Sequence, residues 1–394
     1  MRKKGAVAVS VYNKAVIYPY NREFEPVVRH FDQLEIAVDT IAIVSPEGLG
    51  FVGTKLEVPI KHRTQECIVT DSLEEEWQDS DLLIVCDYTR NEILDELVRK
   101  AIETALQQEK IVHCFCSIHE KLIEKWNWPE WEKSGRFHNW YADAQKKEKI
   151  MPDVTRDLLE PAVPVIQIMG ISENTDKFQV QLALRRLFQE QGYCVSQIGT
   201  RPYCEAFGFH SFPSFIADVG LTESEKVYAI NQYVRKLIDE EHADLLIVGV
   251  PFPIQKYNRT YTNGFGIVPF ILSQAFTPDF TLLCSLYDVE ESSLFQEMSD
   301  YCHRCFGFPA DCIHMSATTV DATTSLEVGE LVYNFYDQNK VEEVIEYWST
   351  SDTAEIPVFN LKKAQDQKKA FDLILKKLTN EIEEMPEIEI RFEE

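Results

Sequence analysis

The feature that most constrains this chain is an alternation of short, wholly apolar runs with stretches of helical periodicity. Ala15-Val16-Ile17-Tyr18, Ile41-Ala42-Ile43-Val44, Ile68-Val69, Leu82-Leu83-Ile84-Val85-Cys86 and Ile111-Val112-His113-Cys114-Phe115 are runs of strand character. Between the last two, residues 91–108 set Ile93, Leu94, Leu97, Ile102 and Leu106 at helical spacing. Residues 24–31 read as a helix with Pro26 in its first turn. A strand with no polar alternation is buried on both faces, so the pattern predicts a mostly parallel sheet covered by helices, an α/β fold. The turn from Asp87 to Arg90 follows such a strand, where these sheets bind ligands. A purely structural turn fits it as well.

Charge narrows the function. Among 394 residues, 65 acidic side chains stand against 39 basic ones, for a formal net charge of -26. Such a chain repels nucleic acid and anionic lipid. The excess serves solubility or offers a docking surface to a basic partner. No stretch approaches the roughly 18 to 20 apolar residues of a membrane helix. The basic start Met1-Arg2-Lys3-Lys4 is followed by a segment broken by Ser10, Asn13 and Lys14, unlike a signal peptide. Ten scattered cysteines suit a reducing compartment. The expected location is cytoplasmic.

Two α/β domains and a tail are expected. The first covers residues 1–150 and includes an aromatic-rich connector, with Trp126, Trp128, Trp131, Trp140 and Tyr141, near a boundary at Pro161-Ala162-Val163-Pro164. Those aromatics either pack the connector onto the domain or form a binding surface. The second, residues 161–345, opens with a strand at 163–169 and an amphipathic helix at 177–191 that ends before Gly192. Strands at 195–198, 243–250, 280–286 and 310–316 and helices at 226–240, 293–306 and 326–336 follow. The tail, 346–394, is acidic and helical near 361–382. It closes with Ile388, Ile390 and Phe392 alternating as in a strand, which suits pairing with a sheet edge.

Gly170-Ile171-Ser172-Glu173-Asn174-Thr175-Asp176-Lys177-Phe178 lies between a strand and a helix, where a phosphate-binding loop would lie. Gly170 and Lys177 keep the spacing of the variant loop of dethiobiotin-synthetase-like proteins, which this segment resembles. The glycine before the lysine is Asp176, whose carboxylate would repel phosphate. The magnesium-ligating hydroxyl is replaced by Phe178. An ordinary turn capped by Asp176 is the competing reading.

Around that loop, Gly199-Thr200-Arg201 and the aromatic run from Phe207 to Asp218 follow the second strand. Ala243-Asp244-Leu245-Leu246-Ile247-Val248-Gly249-Val250 stands where a Walker B strand would, without its terminal acid. With the preceding α/β unit, this resembles D-glutamate N-acetyltransferase-like proteins. The resemblance implies a Rossmann-like N-terminal domain followed by a degenerate P-loop NTPase-like domain. The runs Gly170–Leu184, Ser196-Gln197-Ile198-Gly199-Thr200, Cys204-Glu205, Phe207-Gly208-Phe209-His210-Ser211-Phe212-Pro213 and Asn263-Gly264-Phe265-Gly266 look like the peptide maturation system protein family. That resemblance implies an accessory role in maturing a ribosomally made peptide. The implied partners are the precursor peptide, a radical-SAM maturase and an acyl-carrier-like protein. A homodimer is a further option.

The expected site gathers these segments at strand C-termini. Gly170, Asn174, Lys177, Thr200 and Arg201 are the candidate cofactor-binding residues. His210 is the candidate acid–base group, with Glu205 and Cys204 beside it. Arg259, Asn263 and Phe209 are candidate substrate contacts. Three functions follow: an accessory binder of precursor peptide or carrier protein, an acyl- or aminoacyl-transferase, and a non-hydrolysing nucleotide-binding regulator. Cys302-x2-Cys305 with Cys312 and His314 has zinc-like spacing, but those cysteines sit on a predicted helix and strand, where buried thiols are normal. No metal and no particular cofactor is expected.

Overall fold

The structure, a computed structural model, describes residues 11–61, 63–117, 126, 128–141, 157–287, 293–350 and 356–383. It is α/β with parallel sheets. The chain divides into two compact units, Met1–Lys149 with Arg201–Ser211, and Ile150–Thr200 with Phe212–Glu394. The short segment 201–211 thus groups with the first unit, and the C-terminal tail groups with the second.

The first unit is built on β1 (Val11–Tyr18), β2 (Ala37–Ile43), β5 (Leu82–Val85), β6 (Ile111–Cys114) and β7 (Phe137–Asn139), in the order β2-β1-β5-β6-β7 with all neighbours parallel. An antiparallel hairpin, β3 (Lys55–Ile60) and β4 (Arg63–Ile68), stands outside this sheet. The Gln65 side chain takes the Ile41 N–H at 3.0 Å and gives to the Ile41 carbonyl at 2.7 Å, so an amide continues the ladder at β2. Helix α1 (Glu25–Arg29) is one turn flanked by 3-10 turns at Arg22–Phe24 and Phe31–Gln33, so the predicted helix over 24–31 is broken into three pieces. Helix α2 (Leu73–Trp77) is capped by Ser72 and α3 (Glu92–Gln107) by Asn91, whose oxygen accepts the Leu94 N–H at 2.9 Å. Trp126 and, in α4 (Trp128–Lys133), Trp128 and Trp131 are buried with Phe137, Leu83 and Val98. These connector tryptophans are core. The segment 201–211 supplies a 3-10 turn, Cys204–Phe207, and a short strand, β10 (His210–Ser211).

In the second unit β8 (Val165–Gly170), β9 (Val195–Gly199), β11 (Leu245–Gly249), β12 (Phe280–Ser285), β13 (Cys312–Met315) and β16 (Val358–Phe359) lie in the order β9-β11-β8-β12-β13-β16, all parallel. Successive strand residues face opposite layers. Ile166, Ile168, Ile247 and Leu282 pack with Val180, Leu184 and Phe188 of α5 (Lys177–Glu190) and with Phe371 and Ile374 of α11 (Ala364–Glu383). Val165, Met169, Leu246 and Val248 pack with Ile230 and Val234 of α6 (Glu223–Glu241), Ile271 of α7 (Ile267–Ala275), Phe295 of α8 (Ser293–Phe306) and Trp348 of α10 (Gln338–Thr350). Thr222 and Glu225 form a reciprocal capping box on α6. The helix predicted over 326–336 is instead α9 (Ala322–Val328), stopped by Gly329 at φ 80, and then β15 (Tyr333–Phe335), which pairs with β14 (Thr318–Val320). The tail adds β16 to the sheet edge and α11 to one face. The strand expected near 388–392 lies outside the described residues. No helix among the described residues is long and apolar enough to cross a membrane.

Candidate functional site

The loop after β8 keeps the strand–loop–helix path of a phosphate loop but spends its polar groups internally. Asn174 and Asp176 both adopt left-handed backbone, at φ 56 and 61. The second is the position where the variant loop carries glycine, which takes this conformation without strain. Asp176 makes no side-chain cap to α5. Its carboxylate turns to Lys362 Nζ at 3.0 Å and to His314 Nε2 at 3.5 Å. His314 is fully buried, and its Nδ1 accepts the Leu361 N–H at 3.1 Å, which leaves Nε2 to carry the proton toward Asp176. Burial pushes the Asp176 carboxyl up. The Lys362 ammonium and the His314 hydrogen bond outweigh that and hold its pKa down at about 2. The expected repulsion of phosphate by Asp176 is therefore muted. Its charge is matched by the segment that leads into α11.

The remaining loop groups close on one another. Thr175 Oγ1 donates to the Ser172 carbonyl at 3.1 Å, and Ser172 Oγ pairs with the Tyr333 hydroxyl at 3.1 Å. A Cβ on Gly170 would lie 2.8 Å from both Lys177 Cδ and Thr175 Oγ1, so only glycine lets the lysine stem and the threonine fold over this turn. Lys177 is buried, with Nζ 3.7 Å from Glu173. Phe178, at the magnesium-ligand position, is buried. At the end of β11, where a Walker B acid would project, a Cβ on Gly249 would meet the Gln181 amide at 2.3 Å. That amide is itself held by Thr200, whose N–H it accepts and whose Oγ1 it reaches, both at 3.3 Å. Gln181 fills the space an acid would need.

Beside this loop lies a pocket of about 290 Å³. Ile171, Leu286, Leu294 and Met298 give it an apolar wall, and Lys256 and Tyr287 give it polar ends. Its size is near the lower end of small-ligand sites, roughly 300 Å³. Burial pushes the Tyr287 phenol up, so it remains a neutral donor. The loop after β11 supplies Gln255, Lys256 and Tyr257 to the pocket. Arg259 and Asn263, expected as substrate contacts, are not in its lining. Arg259 is exposed in a turn organised by Asn258, whose oxygen takes the Thr260 and Tyr261 N–H groups at 2.8 and 2.9 Å. Asn263 opens a run of left-handed residues through Gly266, with Phe265 63% exposed.

The other sequence-predicted residues belong to the first unit. Cys204 and Glu205 are buried and committed to Ser211. The Cys204 N–H reaches Ser211 Oγ at 3.1 Å, while Glu205 accepts the Ser211 N–H at 2.9 Å and its hydroxyl at 2.5 Å. Burial, reinforced by Glu205, pushes the Cys204 thiol well up, which makes it a poor nucleophile. Phe209 is buried against Phe207. His210 is half-buried at the start of β10. Arg201 lies 3.9 Å from both Glu23 and Asp87. The expected cofactor set is thus divided, with Gly170, Asn174, Lys177 and Thr200 in one unit and Arg201 in the other. The zinc-like set is also dispersed: Cys302 is buried on the α8 face, Cys312 in the core beneath α5 and α11, and both His314 nitrogens are engaged.

No protein-family model and no curated protein sequence matches this chain. Among solved structures it is similar to a DUF1611 family protein from Anabaena variabilis, at 11% identity and a TM-score of 0.54, over 92% of this chain and 99% of that one. It is also matched to hydrogenase maturation factor HypB from Archaeoglobus fulgidus, at 12% identity and a TM-score of 0.28, over 60% of this chain and 94% of that one. At 11% identity the first likeness shows the fold alone, and 0.28 is too low for the second to bear on it. Neither name points to peptide maturation.

Proposed function

We propose that the second unit is a P-loop-like binding module that no longer hydrolyses nucleotide. In this reading it serves as an accessory protein of a ribosomal peptide maturation system, holding a precursor peptide or its carrier. The observation that carries it is the capture of Asp176 by Lys362 and His314. Position 176 is where the variant loop needs glycine, and here it holds a salt bridge into the tail. Phe178 and the Gln181-filled space over Gly249 point the same way, since Phe178 carries no oxygen for a hydrated metal and the Gln181 amide, its oxygen accepting the Thr200 N–H, stands where a carboxylate would be needed. The neighbouring pocket suits an apolar side chain of an extended peptide. Met298 adapts to its shape, and Lys256 donates to a carbonyl or carboxylate at the rim. The sequence resemblance supplies the peptide maturation context.

The transferase reading is weakened by Cys204, whose buried thiol donates to the Arg201 carbonyl at 3.0 Å, and by Glu205, which is buried and accepts from Ser211. Calorimetric titration of the protein with ATP, GTP and acetyl-CoA, with and without magnesium, tests the module. No binding is expected in wild type or Lys177→Ala. A peptide display library panned on wild type should yield binders that Met298→Ala loses. Micromolar, magnesium-dependent ATP binding abolished by Lys177→Ala would overturn the reading.

A further inference from the structure

The pocket beside the remnant loop is sorted by charge, and that sorting narrows what it can hold. Its walls come from separate segments: Ile171 follows β8, Lys256 follows β11, Tyr287 follows β12, Met298 lies on α8 and Val320 on β14. Backbone bonds tie these segments together. The Ile254 N–H donates to the Gly170 carbonyl at 2.9 Å, the Ile171 N–H to the Cys284 carbonyl at 3.0 Å and the Tyr287 N–H to the Thr318 carbonyl at 2.7 Å. The cavity is therefore formed before a ligand arrives, which spares part of the ordering cost of binding.

Among the described residues that line it, none is acidic, although the chain carries 65 acidic side chains. Residues 245–278, which supply one side, contain Lys256 and Arg259 and no acid. Lys256 and Tyr257 are exposed, so the mouth opens on their side. Beside them the half-buried Gln255 amide stands with Nε2 3.6 Å from Met298 Sδ, a weak acceptor that a carboxylate oxygen readily replaces. An ammonium and an amide N–H thus meet at one end of the pocket. Tyr287 closes the other end, with its ring centroid 4.8 Å from that of Tyr336. Burial, then Tyr336 and Glu343, push the Tyr287 phenol up, so that end disfavours negative charge. An anion is directed to the Lys256 end, and the wall between the two ends is apolar.

We infer that this pocket reads the free C-terminus of a peptide, its carboxylate held by Lys256 and Gln255 and its last side chain, aliphatic and of leucine size, laid against Ile171, Leu286 and Leu294. This rests on the reading of the second unit as a peptide-binding module and names the part of a peptide it takes. A volume of about 290 Å³ suits one such residue, and the rest of the peptide leaves through the open mouth. An internal residue would bring only a neutral carbonyl to the ammonium. Capture of a chain end by fixed donors is a recurring mode of peptide recognition.

Fluorescence anisotropy on the full chain tests this with a fluorescein-labelled triglycyl-leucine peptide, the same peptide as its C-terminal amide, and unlabelled 4-methylpentanoate as competitor. The free acid should bind roughly tenfold tighter than the amide, the expected effect of a charged hydrogen-bond partner. Lys256→Met, on an exposed loop and checked for folding by a thermal melt, should abolish that preference and leave amide binding unchanged. Equal binding of acid and amide would overturn the inference and leave the module standing, and so would a preference that survives Lys256→Met. Displacement by 4-methylpentanoate as strong as by unlabelled peptide would overturn the peptide end as the source of the carboxylate. Binding of neither form, with display binders still lost in Met298→Ala, would overturn the chain-end reading alone. Binding of neither form and no display binders would overturn both readings.

Discussion

Removing the Asp176 charge should cost folding stability, by an amount that can be worked from its surroundings. The carboxyl sits at about 2 against its usual 3.8, so folding favours the ionised form by nearly two pH units. At about 1.4 kcal/mol per unit that is about 2 kcal/mol. Asp176→Asn also leaves Lys362, only 10% exposed, without its partner, which adds to the cost. Urea denaturation at pH 7 should place Asp176→Asn about 2 to 3 kcal/mol below wild type. Lys362→Met keeps the stem packing, and a cycle with Asp176→Asn should show a coupling of about 1 to 2 kcal/mol, as contacting charges do. The sign of the pH dependence follows from a depressed carboxyl. The contribution is fully present above the unfolded value near 4 and is lost as pH falls toward about 2. The penalty of Asp176→Asn should therefore be flat from pH 8 to 5 and shrink below 4. Additive single variants, or a penalty that grows between pH 8 and 5, would refute the reasoning.

Asp87 should behave in the opposite sense. Its folded pKa is raised to about 6, so ionisation opposes folding as pH rises from about 4 through 6. Asp87→Asn should match wild type in urea at pH 4 and exceed it at pH 7 by about 2 to 3 kcal/mol, and a loss of stability at pH 7 would contradict this. Gly266→Ala should destabilise by at least about 2 kcal/mol, because its Cβ would lie 2.2 Å from the Ile254 carbonyl in a left-handed turn. Gly264→Ala, left-handed but open, should cost about 1 kcal/mol, and equal effects in thermal melts would refute the steric account. Gly249→Asp, which restores an acid to the end of β11, should displace Gln181 from Thr200 and lose about 1 to 2 kcal/mol without conferring ATP hydrolysis in a phosphate-release assay.

The strands were legible because each is a continuous apolar run. Leu82–Val85 and Leu245–Gly249 are buried along their full length, as an interior parallel strand requires. One element that misled has apolar residues that do not face a core. Leu326 and Val328 suggest an extended helix, yet they are 74% and 55% exposed, and the chain turns at Gly329. The phosphate-loop path was visible from the spacing of Gly170 and Lys177. The partner of Asp176 was not, because Lys362 lies in the tail and reaches the loop only once β16 pairs with β13. His314 did attract notice, but through its cysteine neighbours and not as a partner of Asp176. Arg201 was a candidate site residue in the sequence, but its place beside Asp87 was not legible there. A local pattern does not reveal that residues 201–211 group with the first unit.

The two units differ in what they do with charge at the same topological position. Each places loops at the C-terminal ends of parallel strands, where backbone geometry leaves room for ligands. In the second unit that room is taken up from within. Lys362 and His314 match Asp176, Gln181 fills the space over Gly249, and what stays open is a largely apolar pocket. In the first unit Asp87 and Glu23 face one guanidinium at 3.9 Å, and burial raises the Asp87 carboxyl to about 6. Buried charge left incompletely paired is costly to the fold alone. An apolar side chain has more to gain in the second unit's pocket than at this charged turn. Titration with a displayed peptide tests this, since Met298→Ala should weaken binding and Asp87→Asn should leave it unchanged.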